Sequence, residues 1–260
     1  MIINDVVLVH GWGVNKAIWS DYVGFLQLRF PSMRFHLIDV PGYGELSGKD
    51  SSANLKELAE NCLAQAPEQA LWVGWSLGGM IALQAALVDL EKNSVARVQA
   101  VQLINAAPKF VQSSDWPSGV DITIFDKFCN ELASDYERTS SMFLLLQAGA
   151  AKGARKLARD AQSAIQQYPS PSELTLRRGI ECLASVDLRN EVTKLSLPAQ
   201  IVTGALDRVT MPESCRLLSK MMPAELVEVH SGHAPFLTDV EFMLENFECF
   251  VKRIEVGNAA

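Results

Sequence analysis

Residues 74–79 read GWSLGG, directly after the apolar run ALWV at 70–73. The first five letters fit G-x-S-x-G, a pattern in which a serine stands on a tight turn between a β-strand and an α-helix. The apolar run predicts the strand, and the Ala- and Leu-rich residues 80–90 predict the helix. Because such a turn exposes the hydroxyl, Ser76 is the candidate nucleophile. The alternative is a glycine-rich turn with a solvated serine.

Short apolar runs alternate with helical patterns along most of the chain, which is typical of a parallel sheet covered by helices. Strands are predicted at 6–9, 35–39, 71–73, 98–105, 199–203 and 226–229, and helices at 55–66, 80–90 and 240–253. From Pro108 to about Pro198 the alternation stops, and helical segments follow one another without a convincing strand. We predict an α/β core of residues 1–107 and 198–260, with residues 108–197 inserted as a helical cap.

A serine hydroxyl needs a base to take its proton. The candidate base is His233, in the loop SGHAPFLTD after the last predicted strand, and His230 is the alternative. Loops at strand ends carry catalytic groups on rigid scaffolds. His10 and His36 lie at a strand end and within a strand, where a structural role is expected.

The orienting acid is expected after a strand and before the histidine in chain order. Asp207 in IVTGALDRVT meets this condition, and its task would be to hold the imidazole in the right tautomer. An aspartate that caps a helix or a turn is the alternative. Asp187 in VDLRNE competes, but it stands at the end of the inserted segment.

Acyl transfer also needs donors for a developing oxyanion. The backbone N–H of Leu77, directly after the serine, is one candidate. The other is the N–H of Trp12 in the loop HGWG, whose alternative role is packing.

Composition limits the classes of function. The 260 residues carry a net charge of −7, which argues against general nucleic-acid binding. Five scattered cysteines without a CxxC pair indicate neither a disulfide framework nor a zinc site, and a reducing cytoplasm is expected. The N-terminus lacks signal-peptide features, and the nearly apolar stretch 142–151 is too short to span a bilayer. We therefore expect a soluble, cytoplasmic monomer without a metal, cofactor or membrane partner.

Five segments together resemble the signature segments of the α/β-hydrolase superfamily, over essentially the whole chain. They are HGWG (10–13), DVPGYGELSG (39–48), GWSLGG (74–79), GALDRVT (204–210) and GHAPF (232–236). The resemblance implies a mostly parallel sheet flanked by helices, an inserted cap and a Ser–Asp–His triad in that chain order. Members usually begin with one or two antiparallel strands before HG. Since nine residues precede His10, we expect that edge of the sheet to be trimmed.

Within the superfamily, Asn15, Trp19, Trp75 and the segment RTSSMFLLLQ (138–147) are similar to members that act in biotin synthesis. Those members hydrolyse the methyl ester of a pimeloyl group on acyl carrier protein. The resemblance implies this esterase activity, this partner and a set of substrate-lining residues: Trp12, Ser76, Leu77, Phe143, Leu144, Leu145, Leu146, Gln147 and His233. Composition alone does not separate such a lining from ordinary core.

Basic residues are concentrated in residues 138–178, where seven basic and two acidic side chains give a local excess of +5. A helical wheel over residues 150–165 places four of them on one face: Lys152, Arg155, Lys156 and Arg159. Such a face is often merely solvated. It could also dock an acidic partner with a phosphate, to which arginine is suited. The resemblance implies that role for three residues: Arg138, Arg155 and Arg159.

Three other functions stay open at this point. A general short-chain carboxylesterase would use the same three residues, as would a lyase or C–C hydrolase of the same fold. A non-enzymatic ligand-binding protein is the third, because a fold alone does not fix a function.

Overall fold

A six-stranded parallel sheet forms the centre of the molecule. The computed structural model describes residues 2–92, 95–134 and 153–257. Its strands are β1 (Asp5–Val9), β2 (Arg34–Ile38), β3 (Ala70–Trp75), β4 (Val98–Ile104), β5 (Ala199–Gly204) and β6 (Ala224–Val229). They lie in the order β2-β1-β3-β4-β5-β6, and every neighbouring pair is parallel. The predicted α/β fold is confirmed, and each predicted strand overlaps an observed one.

Helices cover both faces of this sheet. They are α1 (Ser20–Arg29), α2 (Leu55–Gln65), α3 (Leu77–Lys92), α4 (Ile122–Ser134), α5 (Ala154–Ile165), α6 (Glu173–Ser185), α7 (Pro212–Met221), α8 (Pro235–Thr238) and α9 (Val240–Gly257). The helices predicted from the sequence did not include α1, α7 or the single-turn α8. In α1 the apolar Phe25 and Leu28 are exposed, so the hydrophobic pattern does not mark one face. In α7 two of the buried residues, Ser214 and Cys215, are small.

Alternate residues of each central strand enter two separate cores. In β1, Val7 and Val9 pack on the side of α2 and α3, whereas Val6 and Leu8 pack on the side of α1 and α9. Both faces of the sheet are thus buried, which explains why the strands read as continuous apolar runs rather than as alternating patterns.

The segment between β4 and β5 contributes α4, α5 and α6. Within its described residues, β-pairing is limited to isolated bridges, such as the one between Lys109 and Asp187. Helix α6 packs on loops at the carboxyl edge of the sheet. A Cβ on Gly179 would lie 2.5 Å from the Trp12 ring, and one on Gly42 would lie 2.5 Å from the Thr175 side chain. The limits 108–197 for a cap domain stay a prediction.

Among the helices in the described ranges, none is both long enough and apolar enough to cross a bilayer.

Candidate active site

Ser76 lies between the end of β3 and the first residue of α3, with φ at +55°. A residue with a side chain rarely adopts this conformation, so the surrounding structure has to hold it there. The Ser76 N–H donates to the Ile104 carbonyl at 3.0 Å, and the Ser76 carbonyl accepts from Gly79 N at 2.9 Å and Met80 N at 3.2 Å. The side chain is partly exposed. The turn therefore holds the serine from both sides and leaves its hydroxyl accessible.

The glycines around Ser76 are required by close backbone approaches. A Cβ on Gly78 would lie 2.2 Å from the carbonyl oxygen of Val9, and one on Gly74 would lie 2.4 Å from that of Gly78. These distances are far below van der Waals contact, so no residue with a side chain fits without movement of the backbone. The glycine spacing thus follows from the packing of β1, β3 and α3.

His233 and Asp207 form a buried hydrogen-bonded pair. The Nδ1 of His233 lies 2.7 Å from Oδ2 of Asp207, and the two residues are 1% and 4% exposed. The other carboxylate oxygen accepts the N–H groups of Val209 at 2.7 Å and Thr210 at 3.1 Å. The Nε2 of His233 is buried and has no hydrogen-bond partner among the residues that the structure describes. This nitrogen is the one left to take a proton from a substrate or a hydroxyl.

The alternative residues are placed differently. His230 is exposed on the surface. Asp187 pairs with Arg189 at 2.7 Å and with Lys109 at 3.2 Å. His36 pairs with an aspartate on the neighbouring strand β1. The structure brings Asp207 together with His233 and with none of these.

The loop after β1 runs beside Ser76. A Cβ on Gly11 would lie 3.4 Å from the Ser76 Cβ and 3.0 Å from the Trp75 ring. The next residue, Trp12, is buried, and its indole N–H donates to the Leu176 carbonyl of α6 at 3.0 Å. Its side chain therefore packs under the inserted segment, and its main chain follows the loop that borders the serine.

Leu77 is the first residue of α3. The N–H groups in the first turn of a helix have no carbonyl partner within that helix. They also carry the positive end of the helix dipole, so an anion beside Ser76 is favoured there.

Several predicted residues lie outside the described residues. They are Arg138, Phe143, Leu144, Leu145, Leu146, Gln147 and Lys152. In contrast, Arg155, Lys156 and Arg159 are exposed on α5, while Ala158 and Ala161 of the same helix are buried. The charged residues of α5 are thus exposed and these two alanines buried, as the helical wheel predicts.

His10 connects the loops that follow β1 and β2. Its Nε2 accepts the Val40 N–H at 3.0 Å, so its proton sits on Nδ1 and is donated to the Gly11 carbonyl at 2.8 Å. Burial holds the pKa of His10 below the ordinary value of 6.5, although Asp39 at 3.8 Å opposes this shift. His10 is thus a neutral, structural residue that shapes the loop beside Ser76.

Two contacts to His233 were not predicted from the sequence. Its carbonyl oxygen accepts from the Trp75 indole N–H at 2.8 Å and from the Asn105 amide at 2.7 Å. Asn105 is the polar residue directly after the apolar strand β4, and that position is the one signal that could have drawn attention to it.

The buried cysteine thiols are poorly suited to act as nucleophiles. Burial raises the pKa of the Cys62, Cys182 and Cys215 thiols to about 12, so they stay protonated and unreactive. Within the described ranges, no group of three His, Cys, Asp or Glu side chains is arranged to hold a metal ion.

Comparisons with known proteins show which family and which fold the chain resembles. A family model described as "Alpha/beta hydrolase family" matches residues 6–245. Relatives from Edwardsiella ictaluri and Vibrio vulnificus (strain CMCP6), both named "Pimeloyl-[acyl-carrier protein] methyl ester esterase", are 38% and 36% identical over 239 residues. Each alignment covers 91% of this chain and 89% or 90% of the relative, respectively. An esterase from Exiguobacterium antarcticum superposes with a TM-score of 0.80 at 23% identity, over 96% of this chain and 92% of that one, and shows the same fold.

The neutral state of His10 predicts a pH dependence of stability. The unfolded chain binds a proton on this histidine near pH 6.5, whereas the folded chain does not. The free energy of unfolding should therefore fall as pH drops below 6.5, by at most about 1.4 kcal/mol per pH unit from this one group. The variant His10→Gln should lack this component.

Urea unfolding of both proteins between pH 7.5 and 5 measures the effect. The other three histidines are present in both proteins and cancel in the difference. The stability advantage of the wild type should shrink as pH falls. Two curves that stay parallel over the whole range would contradict a neutral His10.

Proposed function

The chain belongs to the alpha/beta hydrolase family, and on that premise we propose that it hydrolyses the methyl ester of a pimeloyl group carried on acyl carrier protein, in biotin synthesis. The products are methanol and the free carboxylate, still attached to the carrier. The single observation that carries the proposal is the buried His233–Asp207 hydrogen bond, with a free Nε2, in a chain whose relatives bear that esterase name.

Acylation begins when the Ser76 oxygen attacks the ester carbonyl carbon and His233 Nε2 takes the hydroxyl proton. Asp207 stabilises the imidazolium that forms. The oxyanion of the tetrahedral intermediate accepts hydrogen bonds from the N–H groups of Leu77 and Trp12. The bond to the methoxy oxygen then breaks, and His233 gives its proton to the leaving group, which departs as methanol.

Deacylation uses the same groups in a second round. A water molecule gives a proton to His233 Nε2 and attacks the carbonyl carbon of the acyl-enzyme. The second tetrahedral intermediate collapses, the bond to the serine oxygen breaks, and His233 returns the proton to Ser76. The pimeloyl carboxylate leaves and the free enzyme is restored.

Helix α5 supplies the surface on which we place the carrier. Arg155 and Arg159 are exposed and form no ion pair with any residue that the structure describes. The two arginines of α6 are engaged, since Arg177 pairs with Glu173 and Arg178 donates to the Ser51 carbonyl. The Nε of Arg159 donates to the Arg155 carbonyl at 3.3 Å. Guanidinium groups that are exposed and not ion-paired to a described residue suit an acidic protein with a phosphate-bearing arm. Arg138 has the same role in this proposal.

The orientation of the substrate follows from this docking surface. The carrier and its thioester stay near the inserted segment, and the distal methyl ester enters first and reaches Ser76. In this proposal the residues 143–147 line the acyl chain. We also propose that the protein is a monomer in a reducing cytoplasm, a compartment in which the five free cysteines are expected.

Mass spectrometry of the carrier tests the reaction. Incubation of methyl-pimeloyl carrier with the enzyme should reduce the mass of the carrier by one CH₂, because a methyl ester becomes an acid while the thioester survives. Loss of the whole acyl group would contradict the proposed orientation. An unchanged mass would contradict the proposed substrate.

Charge reversal on α5 tests the docking surface. In Arg155→Glu/Arg159→Glu, two attractive contacts become repulsive, so kcat/KM for the carrier-bound ester should fall by about tenfold or more. A small soluble methyl ester should be hydrolysed as by the wild type, because it does not use the docking surface.

The matched control is Lys194→Glu/Lys220→Glu, which changes the net charge equally at exposed positions outside α5. This control should retain kcat/KM for the carrier-bound ester. Equal losses in both variants would indicate a general charge effect. No loss in either variant would favour a short-chain carboxylesterase that ignores the carrier.

A further inference from the structure

Asn105 follows β4 directly and is fully buried, with φ at +45°. Its N–H continues the sheet ladder by donating to the Val202 carbonyl at 2.8 Å. Asparagine tolerates this left-handed conformation better than most residues, but the conformation still needs support from neighbouring groups. A buried, polar residue in an unusual conformation thus stands at the edge of the sheet where the triad lies.

The side-chain amide of Asn105 joins two loops of the site. Its Nδ2 donates to the His233 carbonyl at 2.7 Å and to the Gly232 carbonyl at 3.1 Å. Its Oδ1 accepts the N–H of Gly204, the last residue of β5, at 2.7 Å. Two acceptors face the amide nitrogen and one donor faces the amide oxygen, so the orientation of the amide is fixed. The amide therefore ties the loop of the base to the strand that leads into Asp207.

The same carbonyl of His233 is held from a second side. The Trp75 indole N–H, from the residue before Ser76, donates to it at 2.8 Å. The loop also lies tightly against β5, because a Cβ on Gly204 would come within 2.1 Å of the Gly232 carbonyl oxygen. The backbone of His233 is thus fixed relative to the strands that precede both Ser76 and Asp207.

We propose that Asn105 is a positioning residue for His233. The inference deepens the proposed function, since it rests on the same base and acid. By holding the His233 backbone at a set distance from Gly204, Asn105 maintains the 2.7 Å contact between Nδ1 and Asp207. In the proposed reaction it thereby presents Nε2 to the Ser76 hydroxyl. Small displacements of a catalytic group reduce rates strongly, so the amide matters for rate as well as for stability.

Two variants separate the effect of the amide hydrogen bonds from the effect of the backbone conformation. Asn105→Gly removes all three side-chain hydrogen bonds and keeps the positive φ, whereas Asn105→Ala removes the bonds and also strains the backbone. The control is Asn246→Ala, which removes an amide donor to the Phe242 carbonyl within α9. Heat unfolding of all variants reports their stability.

The readout is the rate of phosphonylation of Ser76 by a small fluorophosphonate, measured between pH 5 and 9. The serine oxygen attacks phosphorus, fluoride leaves and His233 accepts the proton, so the rate reports the nucleophile and its base without the carrier-bound ester. The final extent of labelling counts competent sites, and rates are expressed per site. A failure of the proposed substrate therefore leaves this measurement unaffected.

Both Asn105 variants should label about 10–100-fold more slowly than the wild type, and the Asn246 control should label at the wild-type rate. The acidic limb of the pH–rate profile should also change position, because neither variant would hold His233 in its 2.7 Å contact with Asp207.

Two results would overturn the inference. One is a wild-type rate in Asn105→Gly, even beside a slow Asn105→Ala, since the backbone alone would then explain the effect. The other is a slower rate with an unmoved acidic limb, as expected of a merely structural loss.

Discussion

Three backbone segments meet at the end of β3 at distances that leave no room for a methyl group. A Cβ on Gly78 would lie 2.2 Å from the Val9 carbonyl oxygen, and one on Gly74 would lie 2.4 Å from that of Gly78. Extra atoms in such packing force backbone shifts that cost about 1–3 kcal/mol. Because α3 starts this close to β1, the chain has to reverse within one residue. Ser76 takes that position, with φ at +55°.

The loop of the candidate base is held partly by the residue before this turn. Trp75 directly precedes Ser76, and its indole N–H donates to the His233 carbonyl at 2.8 Å. Its ring lies so close to the first loop that a Cβ on Gly11 would be 3.0 Å away. Asn105, at the end of the neighbouring strand, holds the same carbonyl and the end of β5. Ser76, His233 and Asp207 thus stand in separate loops that parallel strands bring to one edge of the sheet. In open α/β sheets, ligands generally bind outside this edge, at the carboxyl ends of the strands.

The sequence predicted those parts of the fold whose signal is local. Apolar runs predicted all six strands, and the turn around Ser76 has a glycine pattern that short-range sterics demand. The candidate base and acid were identified because each stands in a loop after a strand. The role of Asn105 was not predictable, because its partner His233 lies 128 residues further along the chain. The contact of Trp12 with Leu176, 164 residues away, was not predictable for the same reason.

If Ser76 is a nucleophile activated by His233, a fluorophosphonate should modify it, and peptide mapping of the exposed protein identifies the residue that carries the adduct. Ser76 lies on a turn that leaves it partly exposed. The Nε2 of His233 has no hydrogen-bond partner in the part of the chain that the structure describes. The adduct should therefore form on the peptide that contains Ser76, and it should be lost in His233→Ala. Labelling of another serine, or equally fast labelling of Ser76 in the His233 variant, would contradict the claim.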